Sequence, residues 1–236
     1  MKAWKRGTAA ALVLLVGGLF AGIPNAWATP QNFSFTGTFN QDDDVQLFHF
    51  TVGGGSTVVL RTWSYAGGTN AAGDTIARGG FDPILALFDG TGMFINQNDD
   101  GDCGNVDADA LTGQCWDTYF SEALAPGDYT VAVMEYDNFA NGPNLSDGFE
   151  RDGQGNFTRT EGWCASDSAP SAIGFCDVSD SPGGARDNHW AFDLLGVESA
   201  TQQPPPVGVP EPSELGLMGG GLLLLFWLGR RRWHRA

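Results

Sequence analysis

Seven consecutive residues, Asn96-Gln97-Asn98-Asp99-Asp100-Gly101-Asp102, set side-chain oxygens at adjacent and alternating positions around a glycine. Hard divalent cations are held by such oxygens, and a glycine permits the tight turn that lets them converge. The stretch lacks the bidentate glutamate that completes an EF-hand loop. A second acidic loop, Asp42-Asp43-Asp44, precedes an apolar alternating run. If a fold brings both loops to one end, Asp42, Asp44, Asn98, Asp99, Asp100 and Asp102 together form a site for Ca2+, which is the cofactor expected. Turn formation and solubility account for the same aspartates without any ligand. Asp107 and Asp109 add ligands only if their own loop folds back on residues 99–102.

The chain offers little for catalysis. Before the basic C-terminus only His49 and His189 are present, each inside a strand pattern, and neither belongs to HExxH or to a base and nucleophile pair. The stretch Asn144-Leu145-Ser146-Asp147-Gly148 imitates a nucleophile elbow but has Asn where the first glycine is required. Glu122 and Glu135 form no more convincing a glycosidase pair than many other carboxylates. Trp63, Trp116, Trp163 and Trp190 are suited to stacking on sugar rings, although buried tryptophans are the ordinary case in stacked sheets. A protein that is not an enzyme is expected, with no catalytic or cofactor-binding residue assigned.

The elements that must position these residues read as strands. Phe33, Phe35 and Phe39, then Phe48, Phe50 and Val52, alternate with small or polar residues, and Thr57 to Trp63 is rich in β-branched side chains. Pro83 to Phe88 runs into the tight turn Asp89-Gly90-Thr91-Gly92, a hairpin signal. Asp117 to Glu122, Tyr129 to Tyr136 and the Trp190, Phe192, Leu194 alternation complete about eight strands, with Tyr129 to Tyr136 expected near the middle of a sheet. No ten-residue stretch of the body has helical periodicity. An all-β, antiparallel β-sandwich buries two alternating faces in this way. Residues 138–188 form a long insertion rich in Gly, Ser, Asp and Asn, expected to be an ordered excursion with Phe149, Phe157, Trp163 and Phe175 as apolar anchors.

Four cysteines lie in this body, and Cys103 to Cys115 and Cys164 to Cys176 are each twelve positions apart. Pairing within each couple is the economical choice in an oxidising compartment, although three connectivities are open. Each bridge would close a loop of about a dozen residues and stabilise by roughly 3 kcal/mol. Zinc binding needs closer, CxxC-like spacing.

Both ends read as addressing segments. Lys2, Lys5 and Arg6, the apolar run Ala9 to Phe20 and Ala26-Trp27-Ala28 form a signal peptide over residues 1–28. Near the other end, Leu215 to Leu228 is apolar and Arg230, Arg231, Arg232 and Arg235 follow. Fourteen helical residues span about 21 Å against a hydrocarbon core of about 30 Å, so this transmembrane helix is short and leans on snorkelling arginines. The arginines keep the C-terminus cytoplasmic and the body outside. Between the ends lie five arginines, no lysine and 26 of the 28 acids, a formal balance of −21. A surface so acidic repels nucleic acid and anionic lipid and attracts cations, which excludes nucleic acid as a main partner.

The tail motif Pro210-Glu211-Pro212, the apolar stretch and the terminal basic cluster together resemble the PEP-CTERM sorting signal of Gram-negative bacteria. The resemblance implies an exosortase as processing partner and transient single-pass anchoring. It also implies release or attachment at the cell surface, in families associated with exopolysaccharide and biofilm. Within the body, Asp42-Asp43-Asp44-Val45, Asp82-Pro83-Ile84-Leu85, Asn98-Asp99-Asp100 and Leu124-Ala125-Pro126-Gly127-Asp128-Tyr129 occur in an order similar to that of bacterial pre-peptidase C-terminal domains. The likeness is closer to a related domain of unknown function found in PEP-CTERM proteins, with Asp147-Gly148-Phe149, Gly155-Asn156-Phe157-Thr158 and Trp190-Ala191-Phe192-Asp193 as landmarks. It implies a jelly-roll-like sandwich.

The expected organisation is therefore a signal helix (1–28), a β-sandwich domain (29–198), a Pro-rich linker (199–209) and a sorting tail (210–236) with its transmembrane segment at 215–228. The expected function is that of a non-enzymatic exported surface or matrix protein. The alternative is a carbohydrate- or protein-binding accessory module beside a secreted hydrolase.

Overall fold

The computed structural model describes residues 29–164, 175–177 and 186–204. The expected signal peptide, the sorting motif Pro210-Glu211-Pro212 and the apolar stretch 215–228 lie outside the described residues, as does part of the insertion. Among the described residues, no helix is long and apolar enough to cross a membrane.

Among the described residues eleven strands follow one another: β1 (Gln31–Thr38), β2 (Gln46–Val52), β3 (Ser56–Thr62), β4 (Gly68–Thr69), β5 (Thr75–Ile76), β6 (Pro83–Asp89), β7 (Phe94–Asn98), β8 (Tyr119–Leu124), β9 (Gly127–Glu135), β10 (His189–Val197) and β11 (Ser199–Gln202). The described part of the insertion holds a 3-10 turn at Leu145–Asp147 and a short α-helix, α1 (Phe157–Thr160). The first sheet has the order β1-β10-β3-β8, the second β11-β2-β9-β6-β7, and β4 with β5 forms a small ribbon. All pairings between these strands are antiparallel.

The two large sheets pack face to face as a β-sandwich. Phe48, Phe50 and Val52 from β2, Leu85 and Leu87 from β6, and Val131 and Val133 from β9 meet Val58 and Leu60 from β3 and Trp190, Phe192 and Leu194 from β10 in one core. Period-two alternation drives this arrangement: in β2 the phenylalanines are buried while His49 between them is exposed. Close approach matters at Gly37, where a Cβ would run into the Trp190 indole. The β6–β7 hairpin turns at Gly92, whose φ of 87° suits glycine. Asp89 Oδ1 holds the turn by accepting bonds from the Thr91 and Met93 amides at 2.8 and 3.0 Å.

Strands β6 and β9 are buried on both faces, which is why Pro83 to Phe88 is a continuous apolar run rather than an alternating one. Their outward residues Ile84, Ala86, Phe88, Ala132 and Met134 are covered by Phe139, Leu145 and Phe149 of the insertion. Farther along, Phe157 is buried and meets Trp163 edge-on at 5.6 Å, and Phe175 packs at a tilt against Phe81 in the main core at 5.6 Å. The described part of the insertion is thus ordered, with the expected anchors docked. Disulfides join Cys103 to Cys115 and Cys164 to Cys176.

One boundary differs. The linker expected from residue 199 begins later, because Ser199–Gln202 forms β11 and pairs with β2. Its Ser-Ala-Thr-Gln sequence has no strong strand pattern; pairing with the exposed edge of β2 recruits it. The ribbon β4–β5 was equally invisible to periodicity, since two residues per strand carry none.

Candidate functional site

Strand direction alone collects the acidic stretches. β2 begins, β9 ends, β6 begins and β7 ends at the same edge of the second sheet, given their antiparallel pairing. Asp42 to Asp44 precede β2, Glu135 closes β9, Asp82 precedes β6, and Asn98 to Asp102 finish and follow β7. The two acidic loops therefore share an end, as the metal-site expectation requires.

They do not share a centre. In the order β2-β9-β6-β7 the loops are three strand steps apart, about 14 Å at the usual spacing. Oxygens bound to one calcium lie within about 5 Å of each other. The expected ligands also have other partners. Asp42 is fully buried and accepts bonds from the Phe157 amide (3.0 Å), the Thr158 amide (2.8 Å) and the Thr158 hydroxyl (2.8 Å), anchoring the start of α1. Asp44 Oδ2 accepts from the Asn40 and Gln41 amides at 2.6 and 3.1 Å. Asn98 donates to the Tyr119 carbonyl at 3.0 Å. Asp102 is exposed and turns the chain through its carbonyl, which accepts from the Asn105 and Val106 amides. Asp107 faces Arg61 at 3.6 Å, and Asp109 receives a two-point bond from Arg78 at 2.7 and 3.0 Å. Among the described residues no three Asp, Glu, His or Cys side chains stand together as a group placed to hold a metal ion.

Between the two loops stand carboxylates that the sequence reading did not assign to a metal. Asp82 and Glu135 occupy neighbouring rungs: the Tyr136 amide donates to the Asp82 carbonyl at 2.8 Å, and Pro83 faces Glu135 in register. Asp82 is 9% exposed and Glu135 2%. Asp82 Oδ1 and Glu135 Oε2 are buried without a hydrogen-bond partner. Asp177, 5% exposed, arrives on the far side of the Cys164–Cys176 bridge, two residues after Phe175.

Burial, reinforced by the charges of Asp177, Asp100, Asp117 and Asp99, pushes the Asp82 carboxyl well above the usual range. Burial and the charges of Asp42, Asp82 and Asp177 do the same to Glu135. Asp100 is raised to about 6 by loss of solvent and by Asp99 and Asp177. The loop carrying Asp99 and Asp100 is pinned by Thr118, whose hydroxyl donates to the carbonyls of Asp99 (2.9 Å) and Pro83. A signal for Glu135 was legible, since period two puts it on the inward face with Val131 and Val133. Asp82 belonged to the landmark Asp82-Pro83-Ile84-Leu85, but before a proline and outside any alternating run it carried no metal signal.

Other polar groups are structural. Asp117 accepts from the Thr62 hydroxyl (2.9 Å) and the Tyr65 and Ala66 amides (3.1 and 2.8 Å), and Asp193 accepts from Ser34, Trp63 and the Ala71 amide. His49 is bonded to Thr130 and Gln203; His189 is bonded to Asp187 and the Ala77 carbonyl. Asn96 donates to Glu122. Trp63 and Trp190 are buried, Trp116 packs on Tyr65 at 5.1 Å, and Trp163 lies against Tyr136 and Phe157.

Comparison with protein-family models finds no match to this chain, and comparison with curated proteins finds none either.

Proposed function

We propose that this chain is a non-enzymatic exported protein of the cell surface or extracellular matrix, sorted by an exosortase-type system and associated with exopolysaccharide. The observation that carries the reading is the pair of disulfides clipping two loops of an all-β body, because such bridges persist in oxidising compartments. The signal-peptide pattern of residues 1–28 and the resemblance of residues 210–236 to a PEP-CTERM signal supply the route. A jelly-roll-like connectivity and transient anchoring through residues 215–228 belong to the same reading. The engagement of His49 and His189 in structural bonds supports a non-catalytic role. The alternative is a carbohydrate- or protein-binding accessory module; its carbohydrate form is less favoured, because Trp63 and Trp190 are buried and the half-buried Trp116 and Trp163 pack on Tyr65 and on Tyr136 and Phe157.

The test is expression of the full chain in a host with and without an exosortase. Mass spectrometry is expected to find residues 1–28 removed, four oxidised cysteines, and loss of the tail only when the exosortase is present. Glu211→Ala is expected to leave the tail attached. Cytoplasmic protein with reduced cysteines would overturn the export reading, and hydrolysis of any member of a glycan panel would overturn the non-enzymatic one.

A further inference from the structure

We propose that Asp82 and Glu135, joined by Asp177 and Asp100, bind a calcium ion at the end of the second sheet where β6 begins and β9 ends. The inference goes beyond the export reading and does not depend on it.

Three observations carry it. First, the two central carboxyls are nine-tenths or more buried, and each has an oxygen without a hydrogen-bond partner. Second, no ion pair reaches either of them among the described residues: Arg61 pairs with Asp107, Arg78 and Arg186 with Asp109, and Arg151 with Asp137 and Glu161. Third, four chain segments come together at this point: the start of β6, the end of β9, the loop after β7 held by Thr118, and Phe175, which packs on Phe81 at 5.6 Å two residues before Asp177.

Burying an ionised carboxylate without a partner is costly, and native proteins avoid it by pairing, protonation or metal coordination. Protonation would remove the charge of Asp82 and Glu135 and make one oxygen of each a donor that itself needs a buried acceptor. A hard cation answers both problems at once. Calcium accepts six to eight oxygens at about 2.3–2.6 Å in irregular geometry, whereas magnesium demands a near-octahedral set at about 2.0–2.1 Å. Ligands drawn from four sequence-remote segments suit the larger, more tolerant ion. Among the described residues no three such side chains stand grouped to hold a metal, so coordination requires Asp100 and Asp177 to close on Asp82 and Glu135 as the ion binds, with waters completing the shell. The ion would tie the disulfide-clipped insertion to the sandwich.

The experiment is calorimetric titration of Ca2+ into chelator-treated protein purified from exporting cells, with melting curves in Ca2+, in Mg2+ and in chelator. Calcium at about one hundred times its Kd is expected to raise Tm by about 5–10 °C. Asp82→Asn and Glu135→Gln are each expected to weaken binding at least tenfold. Asp128→Asn, exposed at the opposite end of the sheet, is expected to bind as wild type. Calcium-free Glu135→Gln is expected to melt no lower than calcium-free wild type, which a carboxylate with a purely structural role would not show. A wild-type Tm indifferent to calcium and chelator would overturn the site. So would wild-type affinity in both the Asp82 and Glu135 variants, and an equal response to magnesium would overturn the choice of calcium.

Discussion

Two kinds of carboxylate are distinguished by their surroundings. Asp42, Asp117 and Asp193 meet amides and hydroxyls, and Asp109 meets a guanidinium as well. Asp82 and Glu135 meet other acids. Asp109 shows the first kind at its strongest. Burial alone would raise its pKa, but hydrogen bonds from Arg78 and the Thr112 and Leu111 amides, with the charge of Arg186, hold it well below the usual carboxylate range. An unfolded aspartate titrates near 3.9. Stability from Asp109 is therefore fully present above about pH 4 and is lost as pH falls below that value toward the depressed folded pKa. Asp109→Asn is expected to lower unfolding free energy at pH 7 by about 2–3 kcal/mol, less than for a fully enclosed pair because Arg78 is one-third exposed. Urea unfolding between about pH 4 and pH 2 checks the rest, since the variant should lose less stability over that range than wild type. Equal pH slopes would remove Asp109 from the account.

At the scale of elements, the edge strand β11 does a task its sequence does not advertise. It closes the edge of β2 along four rungs, Ser199 to Thr51 through Gln202 to Phe48, and Gln46 fixes the continuation by donating to the Gln203 carbonyl at 2.7 Å. Bare strand edges are templates for intermolecular pairing. Ending the chain after Glu198 is expected to lower Tm and to produce concentration-dependent association, read by light scattering. A monomeric truncated chain with unchanged Tm would show that β11 is dispensable. The insertion acts in the opposite sense, as a lid on an already paired sheet. It roofs the outer face of β6 and β9, so these strands are flanked by neighbours within the sheet and covered on both faces.

The whole molecule carries its acids with very few bases, and that imbalance has a cost for the compact state. Like charges repel more strongly when folding gathers them, and salt weakens the repulsion over distances beyond about 10 Å at 0.1 M. In chelator, raising NaCl from about 0.01 to 0.5 M is expected to increase Tm, with the ion pairs of Arg78 and Arg151 too few to reverse the trend. A Tm that falls with NaCl would mean that attractive pairs, not the net charge, dominate. The same charge is expected to leave the protein unretained on immobilised DNA at every salt concentration.

From sequence alone the all-β class, the β6–β7 hairpin, the position of β9 inside a sheet and the two disulfides were readable. Each rests on neighbours within a dozen residues: a period of two, a glycine turn, or a short cysteine spacing. The candidate site was readable only in part. The sequence displayed clustered aspartates, and clusters are visible because their members are adjacent. Tertiary structure decided which acids meet. It assigned Asp42 to α1 and Asp44 to its own loop, separated both from residues 98–102 by two strand ends, and put Asp82 and Glu135 in the gap. Those two are 53 positions apart in the chain and on neighbouring rungs in the sheet. Strand order creates that proximity, and strand order depends on how two sheets share one core rather than on any local run of residues.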